Sequence, residues 1–143
     1  FRLFQEQYVT IASPEFVRDN LIRKVKDLER VSLLSMDKQM AWWHNFLIAV
    51  ADNPPENFRH VIRINHIRGM INAAACGIGV GFVPEYTVIE ELSNSLLIDP
   101  FPHIKPAADT FRIFIKKEKL QFEKNLLLIN FLKQVQPDSF NYS

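Results

Sequence analysis

The order of local patterns predicts an α/β fold, with a mainly parallel sheet covered by helices on both faces. Short β-branched or alternating stretches read as strands, and the segments between them carry apolar residues at helical spacing. The two kinds of segment alternate from Tyr8 to the end of the 143-residue chain. That alternation is what parallel strands need, because each must be joined to the next by a crossover. In such sheets, ligands bind at the carboxyl ends of the strands.

Residues 8–12 are β-branched and aromatic and precede Ser13-Pro14. Proline disfavours helix in the residue before it, so a strand ending in a turn is expected. Residues 20–28 place Leu21, Ile22, Val25 and Leu28 on one helix face. Residues 31–35 form a short apolar strand. A helix is expected from about Ala41, rich in Trp42, Trp43, Phe46 and Leu47, with Asn53-Pro54-Pro55 beyond its end. The two tryptophans are adjacent and cannot both face one core, so one is expected to be half-exposed.

Residues 58–64 alternate, with Phe58, His60, Ile62 and Ile64 on one side, as in a strand. Asn65 is then the expected N-cap of a helix whose stripe is Ile67, Met70, Ile71, Ala74 and Ala75. Gly77 supplies its stop. Residues 78–83 read as a strand, and Pro84 as the first position of a helix reaching about Leu92. A short strand at residues 96–98 precedes a loop with three prolines. Residues 110–115 form another strand, and a last helix spans about 120–136, closed by Pro137. In that helix Phe122, Leu126, Leu127, Leu128, Ile129, Phe131, Leu132 and Val135 cover nearly the whole circumference. A helix that apolar needs cover on more than one side.

Composition bounds the function. Seventeen basic against sixteen acidic residues leave a net charge of +1, which argues against a broad phosphate-binding surface and specific DNA binding by these residues. The single Cys76 excludes an internal disulfide and fits a reducing compartment. It neighbours Ala74 and Ala75 and is expected to be small and buried. No apolar run approaches the roughly 18 residues of a membrane helix. The four histidines do not form metal-ligand spacing with Cys76 or with paired carboxylates, so no metal or other cofactor is expected. No nucleophile elbow, P-loop or paired catalytic acids appear, and Ser13, Ser32 and Ser35 lack a recognisable base. No catalytic residue is assigned.

The block NHIRGMINAAACGIGVGFVPEY at residues 65–86 resembles a block of LysR-type bacterial transcription regulators. There a helix leads into a glycine-bearing turn and strand that ends at proline, and a second helix follows. The run Glu90-Glu91-Leu92-Ser93-Asn94-Ser95-Leu96-Leu97 is similar to the next part of that family, with Asn94 or Ser95 where glycine is usual. The segments 8–14 and 110–116 and the closing helix are similar as well, so the resemblance covers essentially the whole chain. It implies the effector-binding part of such a regulator, with a periplasmic-binding-protein-like (type 2) fold in an incomplete two-subdomain unit. Residues 13–108 would be the second subdomain, and 1–12 with 109–143 the crossing strands and closing helix of the first. Ala12 and Ser13 would serve as hinge.

The resemblance also implies a small effector, its cleft faced by Ser35, Asp37 and Met40 after one strand and by Ile64, Asn65 and His66 after its neighbour. The free N–H groups and dipole of a helix start at Asn65 suit an anion, most simply a carboxylate; the plainer reading is a capping Asn65 beside a solvated His66. For the 35–40 loop the plainer reading is a surface turn. A homodimer or homotetramer in the cytoplasm is implied, with DNA reached only through a winged helix-turn-helix absent from this chain. The alternative is a solute-binding protein of an uptake system, which shares the two-lobed architecture. An enzyme on the same scaffold is a more distant third.

Overall fold

A computed structural model describes residues 1–135. Contacts divide the chain into two compact units, Gln7–Ala107 and a smaller one of Phe1–Glu6 with Ala108–Ser143.

The larger unit is built on a sheet assembled from short pairings. The strand β2 (Tyr8–Ile11) runs antiparallel to β5 (Gly81–Pro84), from Tyr8 opposite Pro84 to Ile11 opposite Gly81. β3 (Ser32–Ser35) runs parallel to β4 (His60–Arg63), from Ser32 opposite His60 to Ser35 opposite Arg63. Val80 joins the pairs: its carbonyl accepts from Leu34 N–H at 2.8 Å, and its N–H donates to Ser32 O at 3.0 Å. On the far side Ala12 and Ile98 exchange both backbone bonds, at 3.1 and 2.9 Å. The order is therefore β4, β3, β5, β2 and then Ile98, with only β2 reversed. Parallel pairing is thus confined to β4, β3 and Val80, while β2 pairs antiparallel with β5 and, through Ala12, with Ile98, so the expected mainly parallel sheet is formed only in part.

Both faces of this sheet are covered. Leu33, Phe82 and Ala12 point into one core with Trp43 and Phe46 of α2 (Ala41–Ala49). Leu34, Val83 and Ile11 point into a second core with Met70, Ile71, Ala73 and Ala74 of α3 (Ile67–Ala75). Trp43 is buried and its indole N–H donates to Leu34 O at 2.9 Å, whereas Trp42 is half-buried, as the adjacent pair required. The α3 helix ends as Gly77 permits, with φ +73°. Gly77 N–H donates to Ala74 O and Ile78 N–H to Ala73 O, a paired closure of the last turn.

Several expectations need correction. Residues 20–28 are not one helix. The chain instead forms α1 (Pro14–Asp19) and a separate 3₁₀ turn over Val25–Arg30. Ser13 Oγ accepts from Phe16 N–H at 3.1 Å and Pro14 occupies the first helical position, so the dipeptide starts a helix where a turn was expected. Leu21 then takes φ +50°, which breaks the helical path and leaves its side chain in solvent, while Ile22, Val25 and Leu28 are buried. Pro84 ends β5 rather than starting a helix; a 3₁₀ turn over Glu85–Thr87 leads to the short α4 (Ile89–Ser93). The 96–98 segment contributes one bridge and not a strand. All four residues of β4 are exposed, because it lies at the sheet edge. Cys76 is exposed at the cap of α3, beyond the buried stripe.

In the smaller unit β1 (Arg2–Glu6) pairs antiparallel with β6 (Asp109–Arg112), irregularly between Arg2 and Phe4, and α5 (Glu123–Gln134) packs on β1. The Phe4 and Phe111 rings stack 4.8 Å apart, and the Lys133 ammonium lies 4.0 Å from the Phe1 ring centroid. Ile129 is the one buried residue of α5; Leu127 and Phe131 remain 63% and 62% exposed. Gln136 and Pro137, expected to end this helix, lie outside the described residues.

The Val25–Arg30 turn is fastened by carboxylates. Asp27 Oδ2 accepts from the N–H groups of Arg23 and Lys24 at 2.9 and 3.0 Å, and Oδ1 lies 3.3 Å from Arg30. Burial alone would raise this carboxyl, but the two backbone donors and Arg30 outweigh it and hold it below its ordinary 3.8. Glu29 is lowered by the N–H of Glu56 and by Lys26. A depressed folded-state value means Asp27 stabilises the fold above about pH 4 and loses that contribution as pH falls through the folded-state value. Asp27→Asn should therefore flatten the acid limb of the stability–pH curve, read by urea unfolding at stepped pH; an unchanged limb would show that the carboxylate is not a stability determinant.

Close approach at Gly79 gives a second prediction. A Cβ there would lie 2.6 Å from Ser32 O, the acceptor that ties Val80 to β3. Gly79→Ala should cost about 1–3 kcal/mol in urea unfolding, because the neighbour is backbone and cannot rotate away. A loss under a few tenths would mean that the β3–Val80 junction gives way freely.

Candidate functional site

Parallel strands deliver their carboxyl ends to one edge, so β3 and β4 finish side by side at Ser35 and Arg63. Ile64 N–H donates to Ser35 O at 2.9 Å and carries the pairing one residue further. From this edge the chain leaves into α2 over one core and into α3 over the other. The carboxyl ends of the strands are the common ligand position in open α/β sheets.

The six residues expected to face an effector flank this edge. Ser35 is buried, and its hydroxyl donates to Asp37 O at 2.8 Å. Asp37 Oδ1 accepts from Ala41 N–H at 3.3 Å and so satisfies one free donor of α2. Met40 takes left-handed φ 56°, ψ 42°, unusual for a residue with a Cβ, and its carbonyl accepts from His44 N–H at 3.0 Å to open the helix. The loop is therefore fastened at both ends, by local bonds that a surface turn can also make. Ile64 is half-buried against the second core, while Asn65 and His66 are exposed.

Asn65 is not the N-cap, contrary to the sequence expectation. His66 is: it is extended at φ −140°, ψ 123°, and its Nδ1 accepts from Gly69 N–H at 3.3 Å. The helix begins at Ile67, so Asn65 stands one residue too early to meet the first-turn donors. The signal lay in the imidazole, which can accept through Nδ1 as an asparagine oxygen would. The start of α3 remains electropositive, and Asn65 is free of the capping duty assigned to it.

By contacts, the two units divide between Glu6 and Gln7 and between Ala107 and Ala108. Ala12 is fully buried in the bridge to Ile98, and Ser13 is buried while capping α1. Thr10 Oγ1 donates to Asp99 Oδ1, which also accepts from Phe101 N–H at 2.9 Å; this tie across β2 was not visible in the sequence.

Chemically, the edge can bind and orient a small polar ligand through side-chain and helix-start donors. Ser35, the hydroxyl nearest the strand ends, gives its proton to a backbone carbonyl and not to a base. Among the described residues, no group of three or more His, Cys, Asp or Glu could hold a metal ion, and no helix is long and apolar enough to cross a membrane.

A family model described as the LysR substrate binding domain matches residues 1–137. No curated protein is similar enough to match. Among solved structures, the regulatory domain of CrgA, a LysR-type transcriptional regulator from Neisseria meningitidis, superposes with a TM-score of 0.75 at 17% identity. That match covers 92% of this chain and 66% of that one. The effector domain of the transcriptional regulator AmpR of Pseudomonas aeruginosa gives 0.72 at 20% identity, over 93% and 63%. A longer CrgA chain from Neisseria meningitidis gives 0.76 at 15% identity, over 92% of this chain and 45% of that one. The chain thus spans less than two thirds of these structures, and at such identities the likeness establishes the fold, the periplasmic-binding-protein-like type 2 arrangement.

The cap is open to direct test. His66→Ala should destabilise the chain by about 0.5–1 kcal/mol and His66→Asn should restore most of it, read by thermal unfolding. Asn65→Ala, in contrast, should change stability by less than a few tenths. Equal losses at both positions would return the cap to Asn65.

Proposed function

Because the chain belongs to the LysR substrate-binding domain family, we propose that it is the ligand-sensing region of a LysR-type transcription regulator, binding a small anionic effector at the β3–β4 edge. The observation that supports this most is the geometry of that edge: two parallel strands end together, the Ser35–Asp37–Ala41 ties hold one loop, and the start of α3 follows the other. Ser35, Asp37, Met40, Ile64, Asn65 and His66 are the proposed contact residues. Asp37 disfavours an anion close to its own carboxylate, so the anionic group is assigned to the α3 side, with Asn65 as a side-chain donor.

In this reading the effector acts by favouring one arrangement of the intact regulator over another, which requires a difference in affinity between them. The intact protein would be a homodimer or homotetramer and would reach DNA through a winged helix-turn-helix outside these residues. Residues 1–12 and 109–143 are proposed to complete a first subdomain whose remainder would cover α5. The exposed Leu127 and Phe131 support that assignment.

A panel of small carboxylates and phosphates screened against the intact regulator should include one that raises its Tm. At a hundredfold excess over Kd, binding stabilises by about 2.7 kcal/mol, several degrees for a domain of this size. Asn65→Leu should abolish that shift and leave the unliganded Tm within a degree or two. A variant that keeps the full shift removes Asn65 from the site; a collapsed unliganded Tm makes the residue structural.

A further inference from the structure

The larger unit carries a cavity of about 420 Å³ away from the β3–β4 edge, lined by residues of three chain segments: 23–26, 49–53 and 103–104. Its wall is apolar where Val25, Val50 and Ile104 meet, all three packed in or against the core that holds Trp43. Its charged groups are Arg23, Lys24 and Lys26 against the single acid Asp52. Lys26 is engaged, 3.1 Å from Glu29 and 3.4 Å from Pro54 O. Among the described residues, Arg23 and Lys24 have no ion-pair partner.

The backbone that carries those two cations is held by hydrogen bonds, while their side chains reach into solvent. Asp27 holds the N–H groups of Arg23 and Lys24, and Glu29 accepts from the N–H of Glu56 at 2.7 Å. The 3₁₀ turn and the segment after α2 are thereby clamped as facing walls. A concavity of a few hundred Å³ that combines an apolar floor with polar and charged groups, here including Asn53 and His103, is the size and make-up a small amphiphilic molecule requires. Asp52 and the carbonyl end of α2 oppose negative charge on one side, which leaves the Arg23–Lys24 side for an anionic head.

We propose that this cavity is a second ligand site, separate from the effector edge, which takes a small organic anion. Its carboxylate or phosphate head seats on Arg23 and Lys24, and its apolar body lies against Val25, Val50 and Ile104. The proposal does not depend on the effector reading, since it shares no residue with the β3–β4 edge. Either site could fail without the other.

The probes are phenylacetate and phenyl phosphate, with 2-phenylethanol as the neutral control, titrated into the ¹⁵N-labelled chain and followed by amide shifts. At least one anion should give saturable shifts at Val25, Val50 and Ile104 with Kd in the millimolar range or tighter, and 2-phenylethanol should bind at least tenfold more weakly. Which anion binds tighter assigns the head group as carboxylate or phosphate. Arg23→Gln with Lys24→Gln should weaken binding about tenfold or more. Their side chains are exposed and only their backbone N–H groups hold Asp27, so the fold is kept, and unchanged shifts elsewhere confirm it. Asp52→Asn should tighten binding about two- to threefold, a size expected for an exposed, screened charge. The proposal is overturned by shifts that do not saturate, by shifts confined to Ser35 and His66, by equal binding of 2-phenylethanol, or by undiminished binding in the double variant.

Discussion

Leu33 and Leu34 are consecutive, fully buried, and committed to different cores. That single arrangement organises the larger unit, because successive side chains of a strand point to opposite faces and β3 has apolar cover on each. Burying each leucine contributes about 1.5–3 kcal/mol of apolar transfer. Both contributions require that α2 and α3 lie on opposite sides of one strand. With β4 on one side and Val80 on the other, β3 has no free edge. The strand ends at Ser35 are therefore held by packing from above and below and by hydrogen bonds laterally, and the rigidity of the proposed effector edge follows from that.

The junction between β3 and Val80 shows how little tolerance the arrangement has. Gly79 is needed there for space, not for a left-handed backbone, since a side-chain carbon would collide with Ser32 O. Gly77, two residues earlier, is needed for the opposite reason, because its φ of +73° closes α3. The pair sets where the helix stops and how closely the following strand approaches β3.

The smaller unit obeys a different balance. Among the described residues, two short strands offer α5 cover on a single side, at Ile129, so Leu126, Leu127, Leu128 and Phe131 stay exposed. Apolar exposure of that extent on one helix supports the proposed cover by the rest of a first subdomain. Among the described residues, this unit is held by the β1–β6 pairing, the Phe4–Phe111 stack and the Lys133–Phe1 contact.

Most of the architecture was legible before any coordinates. The β-branched run at residues 8–12, the alternating strands and the stripe of Met70, Ile71 and Ala74 are local patterns, and local periodicity reports which face is apolar. The excess apolar surface of the closing helix and the split roles of Trp42 and Trp43 could be read in the same way. Boundaries and caps could not. Ser13-Pro14-Glu15 fits a helix start as well as a turn, and only Phe16 N–H reaching Ser13 Oγ selects between them. Asn65 and His66 can both cap, and only the extended backbone of His66 and its Nδ1 meeting Gly69 N–H select between them. Period two in residues 58–64 likewise promised a buried face, but an edge strand has neighbours on one side only. The cavity beside Arg23 and Lys24 gathers three segments spread over eighty residues, so no window of sequence contains it. The sequence by itself determined which residues seek burial and in what order the elements follow; the tertiary structure decided which of several adequate donors, caps and edges each one meets, because those choices rest on distances between segments far apart in the chain.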